Sequence, residues 1–301
     1  MKYETFNHIA WSIWLAYLQV PPKKARRLLA QLPKNGGWPK KIPENFRLSS
    51  TQKKGIEDPN WDLVAQNLIW ANENGHYLIC PDNPLYPQQL LDDEQYPNFI
   101  FAKGNIDLLK QPQIAVVGSR QASLYGLEST KKICRHLSDS NVVITSGMAI
   151  GIDAIAHQCA LNSHTPTIAV LGMDIETIYP KQHKKLYHDI LKNGLIISAV
   201  PLNMHYHPGI FPERNRIISA LSQAVIVVEA YKNSGAMHTV NHALDQDRAV
   251  YALPGRIDQP QAQGCNHLIQ SGAHILTHEH DISISNLFIR ERDKPLIIED
   301  S

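Results

Sequence analysis

A four-residue apolar run, Ile114 to Val117, leads directly into Gly118, Ser119 and Arg120. An unbroken apolar run of this length reads as a buried parallel strand, and the glycine after it as a turn at the strand's carboxyl end. Such turns are where α/β sheets bind ligands. An arginine placed there offers a forked, permanently charged donor suited to phosphate, with a helix N-terminus expected close by. Pairing with a nearby acid is the structural alternative for Arg120.

Other charged and aromatic residues recur at equivalent places. Ser146-Gly147 follows a second apolar run, and Tyr179-Pro180-Lys181 opens a helix that also carries Lys184 and Lys185. Phe211-Pro212-Glu213-Arg214-Asn215-Arg216 opens another. Two arginines at i and i+2 of a helix face different ways, so one of Arg214 and Arg216 is expected at the anion and the other in the fold. The lysines read equally well as solubilising charge. Phe211 or Tyr179 can offer an aromatic face to a ligand or pack into the core.

Catalytic and metal chemistry are weaker readings. Asp153 and His157 share a helix face at i, i+4, with Ser146 just before them. No G-x-S-x-G elbow accompanies them, so a structural pair fits better than a nucleophilic triad. The fifteen histidines include His205 and His207, and His267 lies near Cys265, but no dense ligand set is present and no metal is expected. Neither G-x-x-x-x-G-K-[ST] nor G-x-G-x-x-G occurs, which disfavours ATP hydrolysis and simple dinucleotide binding. No cofactor is expected.

Alternating strands and helices must position these residues. Strands are predicted at Ile114–Val117, Val142–Thr145, Thr167–Leu171, Leu195–Ala199, Ala224–Glu229, Ala249–Leu253 and His274–Thr277. Helices are predicted at Leu124–Leu137, Gly151–Leu161, Lys181–Lys192, Glu213–Leu221, Ala236–Asp245 and Asn266–Gln270. The alternation predicts an α/β fold, an extended, mostly parallel sheet with helices on both faces. Residues 1–76 read as a small helical module, with breaks at Pro21-Pro22 and at Asn35-Gly36-Gly37. Its helix over Trp61–Asn74 carries apolar Leu63, Val64, Leu68 and Ile69. Residues 77–110 read as a connector that starts with a short strand and is then interrupted by prolines. The sheet domain covers 111–278, and 279–301 form a tail too short for a winged helix.

Composition narrows the class without naming a partner. The 301 residues are 43% hydrophobic with a net charge of +1. No apolar run reaches the length of a membrane span, and the first residues lack the pattern of a secretory signal. The four cysteines form no C-x-x-C pair, which suits reduced thiols in a cytoplasmic protein. Residues 1–54 hold eleven Lys and Arg against two acids, an excess that can face polyanions or simply be a solvated surface.

Taken in order, VVGSR, TSGMAIGIDAIAH, LGMDIETIYP, FPERNRIIS, VIVVEA, ALPG and GCNHLIQSGA resemble the DNA-processing protein A family over about Asp82 to Gly272. The resemblance implies an extended Rossmann-like domain preceded by a SAM-like helical domain. It also implies a homodimer that binds single-stranded DNA and loads the RecA recombinase during natural transformation, without catalysis. By the same resemblance Gly118, Ser119, Arg120 and the Arg214-Asn215-Arg216 segment belong to the DNA pocket. The sequence departs from the family pattern at Gly172-Met173-Asp174, Ser219-Ala220 and Ser234 to Val240. Two other readings remain open. One is a phosphoribohydrolase of the lysine-decarboxylase-like fold, of whose P-G-G-x-G-T-x-x-E motif only Pro254-Gly255 is present. The other is a nucleotide-sensing Rossmann domain.

Overall fold

The computed structural model describes residues 3–31, 46–282 and 284. Four helices come first: α1 (Tyr3–Tyr17), α2 (Pro22–Leu29), α3 (Ser50–Glu57) and α4 (Trp61–Trp70). Local chemistry sets their starts. Pro22 is the first residue of α2, where a missing N–H costs nothing. Ser49 and Gln52 form a capping box on α3, and the Asn60 side chain accepts the Leu63 N–H of α4. Then follow β1 (His76–Ile79), α5 (Gln88–Leu91), β2 (Ile100–Gly104), β3 (Gln113–Val117), α6 (Leu124–Asp139), β4 (Val143–Ser146) and α7 (Ile152–Asn162). The chain continues with β5 (Thr167–Leu171), α8 (Lys184–Asn193), β6 (Leu195–Ser198), α9 (Ile210–Leu221) and β7 (Ala224–Val227). It closes with α10 (Gly235–Asp245), β8 (Ala249–Ala252), α11 (Gln263–Gln270) and β9 (His274–Ile275).

The described strands form one sheet in the order β1-β2-β6-β5-β4-β3-β7-β8-β9. Strands β3 to β9 run parallel, as the alternation predicts, while β1 and β2 pair antiparallel at one edge, β2 against β6. Residues 77–110 are therefore more than a connector. They widen the sheet, and fully buried Ile100, Phe101 and Ala102 fill its edge. From β3 the chain builds outward through β4, β5 and β6, then crosses back to β7 on the other side of β3. The strand order reverses at β3, and the crevice outside the carboxyl ends lies there.

Alternate residues of one strand serve opposite faces, as the period of two requires. Ile114 and Val116 pack with Ile133 and Leu137 of α6 and Ile152 and Ala156 of α7. Ala115 and Val117 pack with Ile217 and Ile218 of α9 and Val240 of α10. The N-terminal helices share a third cluster with the sheet: Trp14, Leu15 and Trp70 lie in one core with Phe101, Leu171 and Ile196. Asn67, fully buried, joins the two parts. Its amide donates to the Tyr17 hydroxyl (2.8 Å) and accepts the Leu202 N–H (2.9 Å), while Tyr17 donates to the Leu202 carbonyl (2.5 Å). Val64 of α4 is buried, whereas Ile69 is 64% exposed. The loop expected at Asn35-Gly36-Gly37 and most of the tail lie outside the described residues. No described helix is long and apolar enough to cross a membrane.

Candidate nucleic-acid interface

Two adjoining clefts open at the carboxyl ends of β3, β4 and β5, and both are walled by Arg120, Ala149, Phe211 and Arg214. The larger, of about 390 Å³, runs from Gly118, Ser119 and Gln121 past Asp153 and Asn215 to Ser234 and Gly235 at the start of α10. The smaller is lined by Gly147, Ile150, Leu171, Gly172, Met173, Tyr179 and Pro180. One side of the groove is polar and the other apolar and aromatic.

Three glycines make this groove possible. A Cβ on Gly147 would lie 1.4 Å from Arg214 Nη1, so the absent side chain is the space the guanidinium occupies. A Cβ on Gly172 would meet the Phe211 ring at 2.5 Å, which seats that ring on the β5 turn. Gly151, with φ of 85°, caps α7 and lets the chain pass against the backbone of Ser119 and Arg120, where a Cβ would meet the Ser119 carbonyl at 2.2 Å. The Ile152 N–H then donates to that carbonyl (3.2 Å), locking the Gly118–Arg120 turn to α7.

The arginines divide the work. Arg120 is exposed at the groove mouth and makes none of the side-chain hydrogen bonds or ion pairs found among the described residues. Arg214 lies beneath, 7% exposed, with Nη1 3.3 Å from the Val170 carbonyl it donates to and its guanidinium carbon 5.7 Å from the Phe211 ring centre. Its Nε is buried without a partner. Burial lowers the Arg214 pKa and the field of Asp153 opposes that shift, while Arg120 adds to it. Burial likewise raises Asp153; Arg214 and the N–H groups of Ala149 and Gly147 pull it back. Two guanidinium groups against one carboxylate leave a positive site.

Arg216 points elsewhere. Its guanidinium grips Asp93 through two bonds of 2.6 and 2.7 Å, and Gln246 donates to the same carboxylate. Burial alone would raise the Asp93 carboxyl, but hydrogen bonds from Gln246, the Gln95 N–H and Arg216 outweigh it and hold it below its ordinary value. Arg216, expected in the pocket with its neighbours, therefore ties α9 to the segment after α5. Ser146 is corrected too: it is fully buried and donates to the Val116 carbonyl (2.6 Å), bracing β4 against β3 below the groove floor. Ser119 is 3% exposed, and its hydroxyl accepts the Gln121 N–H (3.0 Å), so it shapes the turn. Asn215 lines the groove and donates to the Gly235 carbonyl (3.1 Å), joining α9 to the start of α10. Lys181 is exposed beside Tyr179 and Pro180 but outside the lining.

The helix after β3 does not offer its N-terminus to an anion. Buried Glu229 already sits there, accepting the Ser123 N–H (2.8 Å) and hydroxyl (2.5 Å). The positive charge of the groove comes from guanidinium groups instead. Ser146, Asp153 and His157 do not form a triad, because His157 Nδ1 faces the Thr167 hydroxyl at 2.7 Å. Nor do Asp153 and His157 form the expected structural pair. Burial first, then His183 and Arg214, hold His157 neutral with its pKa lowered to about 3. Arg256, in the Pro254-Gly255-Arg256 turn after β8, pairs with Asp258 and lines neither cleft. Sequence reasoning missed how Gly172 seats the Phe211 ring, because the β5 turn and α9 meet only in the fold.

A mostly parallel sheet covered by helices, with a cationic, aromatic-walled groove at its reversal point, defines a Rossmann-like α/β fold. The chain belongs to the DNA recombination-mediator protein A family, whose sequence model matches residues 77–286. It is similar to Protein Smf of Escherichia coli K12, with 42% identity over 220 residues, which are 73% of this chain and 59% of that protein. The alignment thus leaves about two fifths of that relative's length unmatched. Among solved structures it is similar to DNA processing protein A from Streptococcus pneumoniae, with a TM-score of 0.77 and 30% identity over 94% of this chain and 97% of that one. It is also similar to DNA processing protein A from Helicobacter pylori, described for its single-stranded DNA binding mode, with a TM-score of 0.63 and 28% identity over 72% of this chain and 96% of that one.

Proposed function

We propose that the groove holds single-stranded DNA without reading its sequence and without cutting it, and that the chain, as a homodimer in the cytoplasm, delivers that strand to RecA during natural transformation. The observation that carries the binding step is Arg120, exposed, without a side-chain partner among the described residues, and lining the same groove as Phe211. Single-strand binders combine a positive track for the backbone with aromatic faces for the bases, and both occur here within one groove. Arg120 is assigned to a phosphate, with Lys181 extending the positive track. Arg214 is a charged floor, Phe211 a stacking face, and Gly118, Ser119, Gly147 and Asn215 the walls that shape the path. The family's description as a recombination mediator and the single-stranded DNA named for the Helicobacter pylori relative support the reading. His157 Nδ1 faces the Thr167 hydroxyl rather than the Asp153 carboxylate, so the relay a serine nucleophile needs is not assembled, which supports binding over hydrolysis.

Gel-shift competition between single-stranded and duplex DNA of one sequence, at two salt concentrations, tests this. Single strands are expected to displace the probe far better than duplex, with weaker binding at higher salt. Equal competition by duplex would contradict the proposal. Release of free base from nucleoside monophosphates would instead establish the phosphoribohydrolase reading.

A further inference from the structure

We propose that Tyr206, Phe211 and Tyr179 form a three-ring platform on which successive unpaired bases stack, with Tyr206 extending the contact beyond the groove itself. The proposal rests on the reading of the groove as a single-strand site. The Phe211 ring centre lies 5.8 Å from that of Tyr179, tilted 41°, and 6.0 Å from that of Tyr206, tilted 48°. Tyr179 and Tyr206 are 53% and 59% exposed. Neither phenol hydroxyl bonds to another described residue, so neither ring is held outward by a polar tether of its own. The rings come from separate segments: Tyr179 from the turn after β5, Tyr206 from the loop after β6, Phe211 from the first turn of α9.

Their spacing says which nucleic acid fits. Bases in a duplex strand rise by about 3.4 Å and already cover one another's faces. Rings about 6 Å apart and mutually tilted suit bases pulled out of stack, as in a stretched single strand. Every base has a face to offer, so such a platform tolerates any sequence. It carries no charge, so its contribution is independent of salt.

The test uses the full chain and a single-stranded oligonucleotide carrying one 2-aminopurine, followed by anisotropy and by base fluorescence. Tyr206→Ala is expected to lower affinity about tenfold and relieve quenching, with the salt slope unchanged. Tyr206→Phe is expected to restore both to within about twofold. Parent-like affinity and quenching in Tyr206→Ala overturn the platform, as does a Tyr206→Phe variant as weak as the alanine one. Failure of the parent to bind the oligonucleotide would overturn the underlying reading of the groove, a result distinct from a binding parent whose Tyr206→Ala variant is unchanged.

Discussion

The motif Arg214-Asn215-Arg216 places two identical side chains in opposite employment. Arg216 clamps Asp93, whose side chain is only 4% exposed, so Arg216→Ala strands a buried carboxylate. A loss of about 3 kcal/mol in urea denaturation is expected, the low end for a broken buried pair, because Gln246 and Gln95 still donate. Arg120→Ala, by contrast, removes an exposed and unpartnered group and should leave stability within about 0.5 kcal/mol of the parent. Equal losses would show that the two arginines had been assigned wrongly. His157 governs a pH dependence. Its pKa falls from an unfolded value of about 6.5 to about 3 in the fold, so its neutral form stabilises the native state fully above pH 6.5 and progressively less as pH drops toward 3. Denaturation between pH 7 and 4 should show the parent weakening with acidity and His157→Gln weakening much less. Parallel curves would contradict the assignment.

At the scale of elements, the groove depends on turns closely fitted to side chains from elsewhere. Gly147→Ala would drive a methyl into the Arg214 guanidinium and is expected to cost about 1–3 kcal/mol and to weaken oligonucleotide binding together. Gly235→Ala, at the start of α10 where nothing lies within 4 Å, should leave stability within about 0.5 kcal/mol of the parent. Circular dichroism melts and anisotropy titrations of both variants decide this. The central parallel strands were legible in the sequence because they are apolar runs closed by a glycine or a polar turn. Their order around β3 was not, since pairing is set by helices packing on both faces. Strand β2 escaped notice because four prolines, Pro81, Pro84, Pro87 and Pro97, precede it and suggest irregular chain. Buried Asn67, bonded to Tyr17 and Leu202, was not legible, because pattern reading assigns an inward position to apolar residues. Arg120 was readable from its place after a strand; Glu229 occupying the α6 N-terminus was not, because residues 123 and 229 meet only in the fold.

For the molecule as a whole, the antiparallel edge and the N-terminal helices enlarge one continuous structure and leave the strand ends near β3 open. The core joining Trp70 and Trp14 to Phe101 and Leu171 ties the helical module to the sheet beneath the β5 turn that carries Tyr179. In the proposed function, charge concentrated at the sheet's reversal point grips a nucleic-acid backbone. The most direct measurement is the slope of log affinity against log salt for a short single-stranded oligonucleotide, in the parent and in Arg120→Ala. Loss of one phosphate contact should lower affinity for every sequence and reduce the slope by about 0.7. An unchanged slope and unchanged affinity would place the backbone elsewhere and overturn the proposed binding groove.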